Sequence, residues 1–239
     1  MAIYKIGNKL LSNGAGKMFG FTVPEPEPET VEILGKTYTT CIIGNQVWLA
    51  ENLKTASKAA FPNLQVNPTI NTNSDFYNLV ETVYLYNKGG ENYFYNGKAR
   101  DKIAEYLQAN NIGYHIPTQA EWQVLFDYIN TTHPNHYEGE DYIWSCDYLR
   151  SIEGWTGTNI KGKDYYGFNA EPIGYIYNTT DTKASSSKNS NTGTNVLYWS
   201  SASNFKTAKI EANDSLNYNC GYIDENQRGA CPIRLIKDS

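Results

Sequence analysis

Apolar and polar residues alternate in two runs between residues 31 and 53, and the turn-forming Gly35 and Gly44 separate the pieces. Alternation with a period of two is typical of a β-strand with one buried face, so the pattern predicts a β-hairpin. Residues 196–202 and 230–238 are apolar runs that predict further strands, the second of them near the C-terminus. We therefore expect the two ends of this domain to pair.

Two segments carry the three- and four-residue spacing of apolar side chains that is typical of an amphipathic helix, residues 100–110 and 118–129. Their apolar faces consist of Ile103, Tyr106 and Leu107 in the first and Trp122, Leu125, Phe126 and Ile129 in the second. Thr118 and Glu121 predict a capping box at the start of the second helix. Residues 178–195 are polar and predict a long loop. Two modest helices among short strands and loops indicate an α+β domain.

A run of alternating proline and glutamate at residues 24–30 divides the chain. Such a run cannot form a helix or a central strand, so we expect a short, semi-rigid spacer. Residues 1–23 predict two short strands around a Gly-rich turn, a hairpin too small to be stable alone. We expect this hairpin to act as an anchor or oligomerisation segment, the alternative being a frayed tail, and residues 31–239 to form the main domain.

The amino-acid composition argues against two classes of partner, nucleic acids and membranes. The chain has 239 residues and a formal net charge of -5, with 27 Asn and 20 Tyr against 16 Lys and 4 Arg. Nucleic-acid binding needs clustered Lys and Arg, so we expect no nucleic-acid partner. No window holds the roughly 18 apolar residues of a membrane-spanning helix, so we expect no membrane insertion. The N-terminus lacks the basic and apolar regions of a secretory signal, so we expect no such signal.

The cysteines and histidines give no strong metal motif. The cysteines are too far apart for a CxxC motif, being Cys41, Cys146, Cys220 and Cys231. A disulfide between Cys220 and Cys231 fits the spacing, but a reducing compartment favours free buried thiols. His133 and His136 could bind a metal with the nearby acidic residues Glu138, Glu140 and Asp141, although a solvated loop is the favoured interpretation. We therefore expect no metal and no other cofactor.

Six segments occur in an order that is characteristic of one family. They are IGNQVWLAENLKT (43–55), GYHIPTQAEWQVL (113–125), LRSIEGW (149–155), YYGFNAEPIGY (165–175), LYWSSA (197–202) and CPIRLIKD (231–238). Together they resemble the Fibrobacter succinogenes major paralogous domain over about residues 31–238. The resemblance implies a C-type lectin-like fold, shared with the formylglycine-generating enzymes and with the variable proteins of diversity-generating retroelements.

In such a fold the tryptophans are expected to anchor the core, namely Trp48, Trp122, Trp155 and Trp199. The alternative is a ring of tryptophans that stack on sugar. His115 lies in a structural motif of the family, and we expect it to be a hydrogen-bonded structural histidine.

The residues that give the related enzymes and lectins their activity are not matched in this sequence. Formylglycine-generating enzymes depend on two closely spaced cysteines, whereas Cys220 and Cys231 are eleven residues apart, so we expect no enzymatic activity. C-type lectins bind calcium through Glu-Pro-Asn or Gln-Pro-Asp loops and a Trp-Asn-Asp strand. The corresponding sequences here are Glu171-Pro172-Ile173 and Trp199-Ser200-Ser201, which lack the oxygens that a hard cation needs.

In the retroelement variable proteins, the segment that corresponds to residues 202–230 displays the ligand-contacting residues. Here it is rich in Asn and Tyr, which suit binding surfaces because Tyr supplies area at low entropic cost and Asn adapts its hydrogen bonds. The candidate ligand-binding residues are Asn204, Phe205, Lys206, Asn213, Asn217, Tyr218, Asn219, Tyr222 and Asp224. The alternative is that these are ordinary exposed residues of sheet and loop.

A recognition fold without an export signal needs another route out of the cell, and assembly into a phage particle provides one. We therefore expect a non-enzymatic virion protein, a head or tail fibre or a decoration protein, that is made in the bacterial cytoplasm and binds a host-surface glycan or protein. Residues 1–30 would contact other virion proteins and form a homo-oligomer, expected to be a trimer. The alternatives are a lectin-like binding protein of the bacterial surface or cytoplasm, and a degenerate enzyme of the formylglycine-generating type.

Overall fold

The structure of the chain is a computed structural model. It describes residues 5–6, 9–10, 29–66, 82–87, 91–156, 162–177, 188–190, 193–202, 206–212, 216–220 and 229–239. Only the backbone is described for the strands at 5–6, 9–10, 82–87, 188–190 and 216–220. Within these ranges, neither α-helix has the length and apolar character needed to cross a membrane.

Short strands and two α-helices make up the described part of the chain. The strands are β1 (Lys5–Ile6), β2 (Lys9–Leu10), β3 (Thr30–Ile33), β4 (Lys36–Ile43), β5 (Gln46–Leu49), β6 (Gln65–Val66), β7 (Thr82–Asn87), β8 (Glu91–Asn96), β9 (Tyr114–His115), β10 (His136–Glu138), β11 (Asp141–Ile143), β12 (Tyr175–Tyr177), β13 (Lys188–Ser190), β14 (Asn195–Trp199), β15 (Thr207–Glu211), β16 (Leu216–Cys220), β17 (Gly229–Cys231) and β18 (Ile236–Lys237). The helices are α1 (Gly97–Ala109) and α2 (Gln119–Thr132), and a 3₁₀ helix spans Ser145–Tyr148.

The strands form mainly antiparallel sheets, and the prediction of an α+β domain is confirmed. The described residues of the main domain form four sheets, with the strand orders β3-β4-β5-β18-β9, β13-β12-β17-β8-β7-β6, β14-β15-β16 and β10-β11. The pair β6 and β7 is parallel, whereas the other strand pairs within these sheets are antiparallel. The sheets curl into a half-barrel.

The two ends of the main domain pair, as the sequence predicts. In β18, Ile236 lies opposite Trp48 of β5 on one side and His115 of β9 on the other. The backbone N–H of Leu49 also donates to the carbonyl of Leu235 at 3.0 Å. The C-terminal strand is therefore central in its sheet, between the early hairpin β4-β5 and the short strand β9.

Both predicted helices are present, and their starts are capped by side chains. Thr118 accepts a hydrogen bond from the N–H of Glu121, whose carboxylate accepts from the N–H of Thr118, so the predicted capping box is confirmed. The first helix begins three residues earlier than predicted, at Gly97, because the Asn96 side chain caps the N–H of Ala99 at 2.8 Å. The helix C-cap is Asn110.

Two apolar cores lie on opposite faces of β14, whose five residues are all buried. Val196 and Tyr198 pack into the first core with Trp48 and Trp122, whereas Leu197 and Trp199 pack into the second. A strand that is buried on both faces is expected to be apolar along its length, and four of the five residues of β14 are apolar, the exception being the buried Asn195. Its position between the cores makes β14 a central element of the domain.

Two segments differ from the sequence-based expectation. The pairing of β1 with β2 forms a hairpin inside the stretch predicted as the first anchor strand, and the predicted second strand lies outside the described residues. The predicted polar loop 178–195 contains β13, which pairs with β12. The sequence of β13 is Lys-Asn-Ser, so no apolar pattern marks this strand.

Candidate functional site

A polar cleft of about 580 Å³ opens between the segment 50–54, which follows β5, strand β8 and the segment 164–171. Its polar and charged lining includes Glu51, Asn52, Lys54, Asn92, Asp164, Asn169, Glu171 and Arg234. Several amide and carboxylate groups that face a common volume can hydrogen-bond a polar ligand from more than one side. This cleft is therefore the candidate ligand site.

Arg234 forms the floor of the cleft and is almost fully buried. Its Nε and Nη2 donate to Oδ1 of Asn52 at 3.0 and 2.6 Å, and Nη1 donates to the carbonyls of Leu49, at 3.1 Å, and Phe168. Nη2 also lies 3.3 Å from the hydroxyl of Tyr198. All five N–H groups thus have acceptors inside the protein, so Arg234 fixes the cleft instead of contacting a ligand.

Asn52 presents the best-defined donor in the cleft. The residue is only 7% exposed, and its Oδ1 is held by two N–H groups of Arg234. Because Oδ1 is fixed in this way, Nδ2 is also fixed in position, and it makes no hydrogen bond to the described residues. A buried amide with unused N–H groups in a polar cleft is suited to donate to a ligand oxygen.

The acidic side of the cleft is built by a tight turn. Asp164 and Asn169 have φ angles of 39° and 50°, a region that Asp and Asn tolerate better than most residues. The N–H of Asn169 donates to Oδ1 of Asp164 at 2.6 Å. Burial raises the pKa of Asp164 above its usual value, while that hydrogen bond and the charge of Arg234 oppose the rise. The turn places the Asp164 carboxylate and the Asn169 side chain in the cleft wall.

The cleft differs from the binding segment predicted by the sequence. Asn204, Phe205, Asn213, Tyr222 and Asp224 lie outside the described residues. Asn217, Tyr218 and Asn219 lie on β16, at the edge of the sheet β14-β15-β16, and their side chains are outside the description. Lys206 is half-buried and does not line the cleft. The nine residues therefore stay predictions.

The base of the predicted segment is nevertheless held firmly. Arg100 of α1 donates through Nη1 to the carbonyls of Ser200 and Ala202 at 3.2 and 3.1 Å. The N–H and Oγ of Ser200 both donate to the carbonyl of Lys206, at 3.1 and 2.8 Å. These contacts hold Ser200, Ala202 and Lys206 together beside α1.

Comparison with known families identifies the family that the sequence motifs resemble. The family model described as the Fibrobacter succinogenes major domain matches residues 42–237. The chain belongs to this family. Comparisons with curated proteins and with solved structures gave no match. The part of the chain that matches the major domain includes Asn52, Asp164, Asn169 and Arg234 of the cleft.

The tryptophans of this major domain anchor its core, as predicted. Trp48, Trp122 and Trp199 are fully buried, so the alternative of a sugar-stacking tryptophan ring is wrong for these three. Trp122 stacks on Tyr198 with ring centroids 5.4 Å apart. Trp155 is partly buried, and its Nε1 donates to the carbonyl of Ala170 at 3.1 Å.

His115 has two acidic partners, which confirms the prediction of a hydrogen-bonded histidine. Its Nε2 lies 2.9 Å from Oε1 of Glu121, and its Nδ1 lies 2.6 Å from Oδ1 of Asp238. The hydrogen bond to Glu121 raises the pKa of His115 above its usual value, burial opposes this, and Asp238 adds to the rise.

The possible metal ligands of the major domain do not converge in the described residues. His133 Nε2 lies 2.7 Å from the hydroxyl of Tyr166, and His136 Nδ1 lies 2.9 Å from the carbonyl of Pro134. Glu138 pairs with Lys163 at 2.7 Å. No group of three or more His, Cys, Asp or Glu side chains is placed to hold a metal ion in the part of the chain that the structure describes.

Three of the four cysteines are buried, namely Cys41, Cys146 and Cys231. Cys41 is a free, buried thiol, and burial raises its pKa to about 12. Cys231 lies fully buried in β17. The side chain of Cys220 is outside the described residues, so the predicted preference for free thiols over a Cys220–Cys231 disulfide stays untested.

Sequence reasoning missed the cleft, although two signals for it were present. Arg234 is a charged residue inside the apolar terminal run CPIRLI, and a buried guanidinium requires several acceptors. Asn52 lies in the motif WLAENLK, three residues after the end of β5. Neither signal tells which distant residues complete the site.

Proposed function

We propose that this major domain is a non-enzymatic binding protein whose cleft recognises a glycan on a host cell surface, a host-surface protein being the alternative ligand. The observation that carries the proposal is the Nδ2 amide of Asn52, fixed by Arg234 and without a hydrogen-bond partner among the described residues. Sugar hydroxyls both donate and accept hydrogen bonds. A site with a fixed N–H donor beside several carboxylate and amide acceptors suits such a ligand.

The lining of the cleft supports a hydroxyl-rich ligand in a second way. Asp164 and Glu171 offer acceptors, while Asn92 and Asn169 offer both donors and acceptors. Neighbouring donors and acceptors can bind neighbouring hydroxyls of one sugar ring simultaneously. Weak single contacts then add up to a specific orientation of the ligand.

The buried thiols support binding over catalysis. A catalytic cysteine must be accessible and must ionise readily. Cys231, on which an enzyme of the formylglycine-generating type would depend here, is fully buried in β17. The pKa of Cys41 is raised to about 12, so this thiol stays protonated at neutral pH.

We also propose that the fold is C-type lectin-like and that the protein belongs to a phage virion, as a fibre or decoration protein. The pairing of the C-terminal strand β18 with β5, the two helices and the contact of Ser200 with Lys206 support the first part. The β1-β2 hairpin, followed by a proline-rich spacer, supports an N-terminal anchor that projects the domain and assembles it as a homo-oligomer. Mass spectrometry of purified phage particles from the source tests the location directly.

The binding proposal is tested by Asn52→Asp in the full-length chain. The aspartate keeps an oxygen for Arg234 and gains an ion pair with it, so the fold should be retained, but the two N–H donors are lost. We expect binding to the best ligand on an array of host-surface glycans to fall by about tenfold or more, since one hydrogen bond in a buried site contributes about 1.5 kcal/mol. Isothermal titration calorimetry measures the loss.

Asn63→Asp provides the matched control, because Asn63 is exposed and lines a different groove beside α1. It makes the same change in charge and should leave the affinity unchanged. Equal affinity of Asn52→Asp and the wild type would contradict the cleft as the binding site. Binding that is lost in both variants would point to the added charge as the cause and would also count against the proposal.

A further inference from the structure

The turn that forms the acidic side of the cleft also carries an exposed aromatic ring. Asp164 lines the cleft, and the next residue, Tyr165, is 62% exposed. Consecutive Cα atoms lie only about 3.8 Å apart, so the Cα of Tyr165 lies next to a residue of the cleft wall.

Backbone hydrogen bonds to the buried segment 148–150 hold Asp164 and Tyr165 in place. The N–H of Asp164 donates to the carbonyl of Arg150 at 3.0 Å, and the N–H of Tyr165 donates to the carbonyl of Tyr148 at 3.1 Å. Arg150 is fully buried and Tyr148 is 9% exposed. The exposed ring therefore stands on a rigid support, and binding to it requires no ordering of a loop.

Neighbouring rings hold Tyr165 without covering it. His133, Tyr148 and Tyr166 meet it with centroid distances of 5.3, 5.9 and 4.9 Å and interplanar angles of 62°, 67° and 78°. None of these three rings stacks flat on it. The face of an aromatic ring carries partial negative charge, which attracts the weakly positive C–H groups on the flat side of a pyranose ring.

The charges around the cleft restrict the chemistry of the ligand. Lys54 is paired with Glu51 at 3.0 Å, so these two charges cancel. The buried guanidinium of Arg234 keeps its charge, because its acceptors are neutral oxygens, and it offsets one of the two carboxylates Asp164 and Glu171. The lining of the cleft therefore keeps one net negative charge. A sialylated or uronic-acid glycan would be repelled by these carboxylates.

We propose that Tyr165 forms a second subsite beside the cleft, and that the ligand is a neutral or N-acetylated oligosaccharide that reaches from the Asn52 amide to the Tyr165 ring. This inference rests on the proposed function. One sugar unit occupies the cleft, and a following unit stacks on the tyrosine. The affinity should therefore rise with chain length until both subsites are filled.

The test uses the full-length chain and defined probes. A glycan array that carries neutral, N-acetylated and sialylated oligosaccharides identifies the best ligand, and calorimetry then compares its fragments of one to six units. We expect Tyr165→Ala to weaken binding of the longer fragments by about tenfold and to leave the single-sugar fragment unaffected, because stacking is lost only where a second unit is present. Tyr165→Phe keeps the ring and should bind as the wild type does.

Tyr137→Ala is the matched control, because Tyr137 is also an exposed tyrosine, at 73%, but lies on β10 and not on the turn at the cleft. It should leave the affinity for every fragment unchanged. An equal loss for Tyr137→Ala and Tyr165→Ala, or a best ligand that is sialylated, would overturn the inference.

The outcomes separate this inference from the proposed function. If Asn52→Asp abolishes binding and Tyr165→Ala has no effect, the cleft remains the site and the second subsite is wrong. If the array shows no glycan binding at all, the inference fails, whereas adsorption of the chain to host cells would preserve a binding function with a protein ligand.

Discussion

Two residues of the cleft have different roles: the buried Arg234 holds Asn52 in place, and the neutral amide of Asn52 is available to a ligand. Burying a guanidinium is unfavourable unless its N–H groups are satisfied, and here the acceptors are amide, carbonyl and hydroxyl oxygens, with no carboxylate within ion-pair distance among the described residues. The guanidinium also lies 4.4 Å from the centroid of the Phe168 ring. The same contacts that stabilise Arg234 hold Asn52 in the orientation that a ligand needs.

We expect Arg234→Met to destabilise the protein by about 3 kcal/mol or more. Methionine fills similar volume, but the oxygens of Asn52, Leu49 and Phe168 would lose their donors while remaining buried. Chemical denaturation measures the change. Lys237→Met, at an exposed position of β18, should shift the free energy of unfolding by less than about 0.5 kcal/mol. An unchanged denaturation midpoint for Arg234→Met would show that these contacts contribute little.

At the scale of elements, an ionic cluster joins the start of α2 to the C-terminal strand. Glu121 accepts from Thr118 in the capping box and also faces His115, whose other nitrogen faces Asp238. Burial alone would raise the pKa of Glu121, but the hydrogen bonds from His115 and Thr118 lower it below its usual value. The imidazole of His115 thus connects β9, α2 and the residue that follows β18.

This cluster predicts a pH-dependent contribution to stability. The pKa of His115 is higher in the folded than in the unfolded protein, so its contribution is fully present below about pH 6.5 and is lost as the pH rises through the folded value. The stability difference between the wild type and His115→Gln should therefore shrink as the pH rises from 5 to 9. Urea denaturation across this range measures it.

His136→Gln is the control for the cluster, since His136 is exposed and its Nδ1 faces a carbonyl instead of a carboxylate. Its stability difference from the wild type should stay nearly constant over the same range. A His115→Gln difference that grows with pH would contradict the assigned sign.

An element could be predicted from the sequence where residues close to it in the chain determine it, and could not where distant residues do. Thr118 and Glu121 lie three residues apart and predicted the capped start of α2, and the apolar run of β14 predicted a buried strand. The polar strand β13 could not be predicted, because its pairing depends on β12 and not on its own sequence. The cleft combines five separate stretches of chain, at 39, 50–54, 92–93, 164–171 and 234, so no local pattern reveals it.

At the scale of the whole molecule, the C-terminal strand β18 joins early and middle parts of the chain in one sheet. It pairs with β5 and β9, and Ile233, Leu235 and Ile236 before and within it are buried. The carbonyl of Ile233 also accepts from the N–H of Leu53 at 2.8 Å. By contrast, the strand pairing described for residues 1–28 is that of β1 with β2.

We therefore expect a chain of residues 29–239 to fold with the same thermal midpoint as the full-length protein, whereas residues 29–232 should not fold. The longer fragment keeps both cores and the central strand β18, while the shorter one loses Ile233, Arg234, Leu235 and Ile236 and so opens both the sheet and the floor of the cleft. Circular dichroism during heating measures folding, and analytical ultracentrifugation measures assembly.

If residues 1–28 form the proposed anchor, their removal should convert an oligomer into a monomer without a change in stability. A lower thermal midpoint for residues 29–239 would instead mean that the N-terminal segment packs on the domain and contributes to its core.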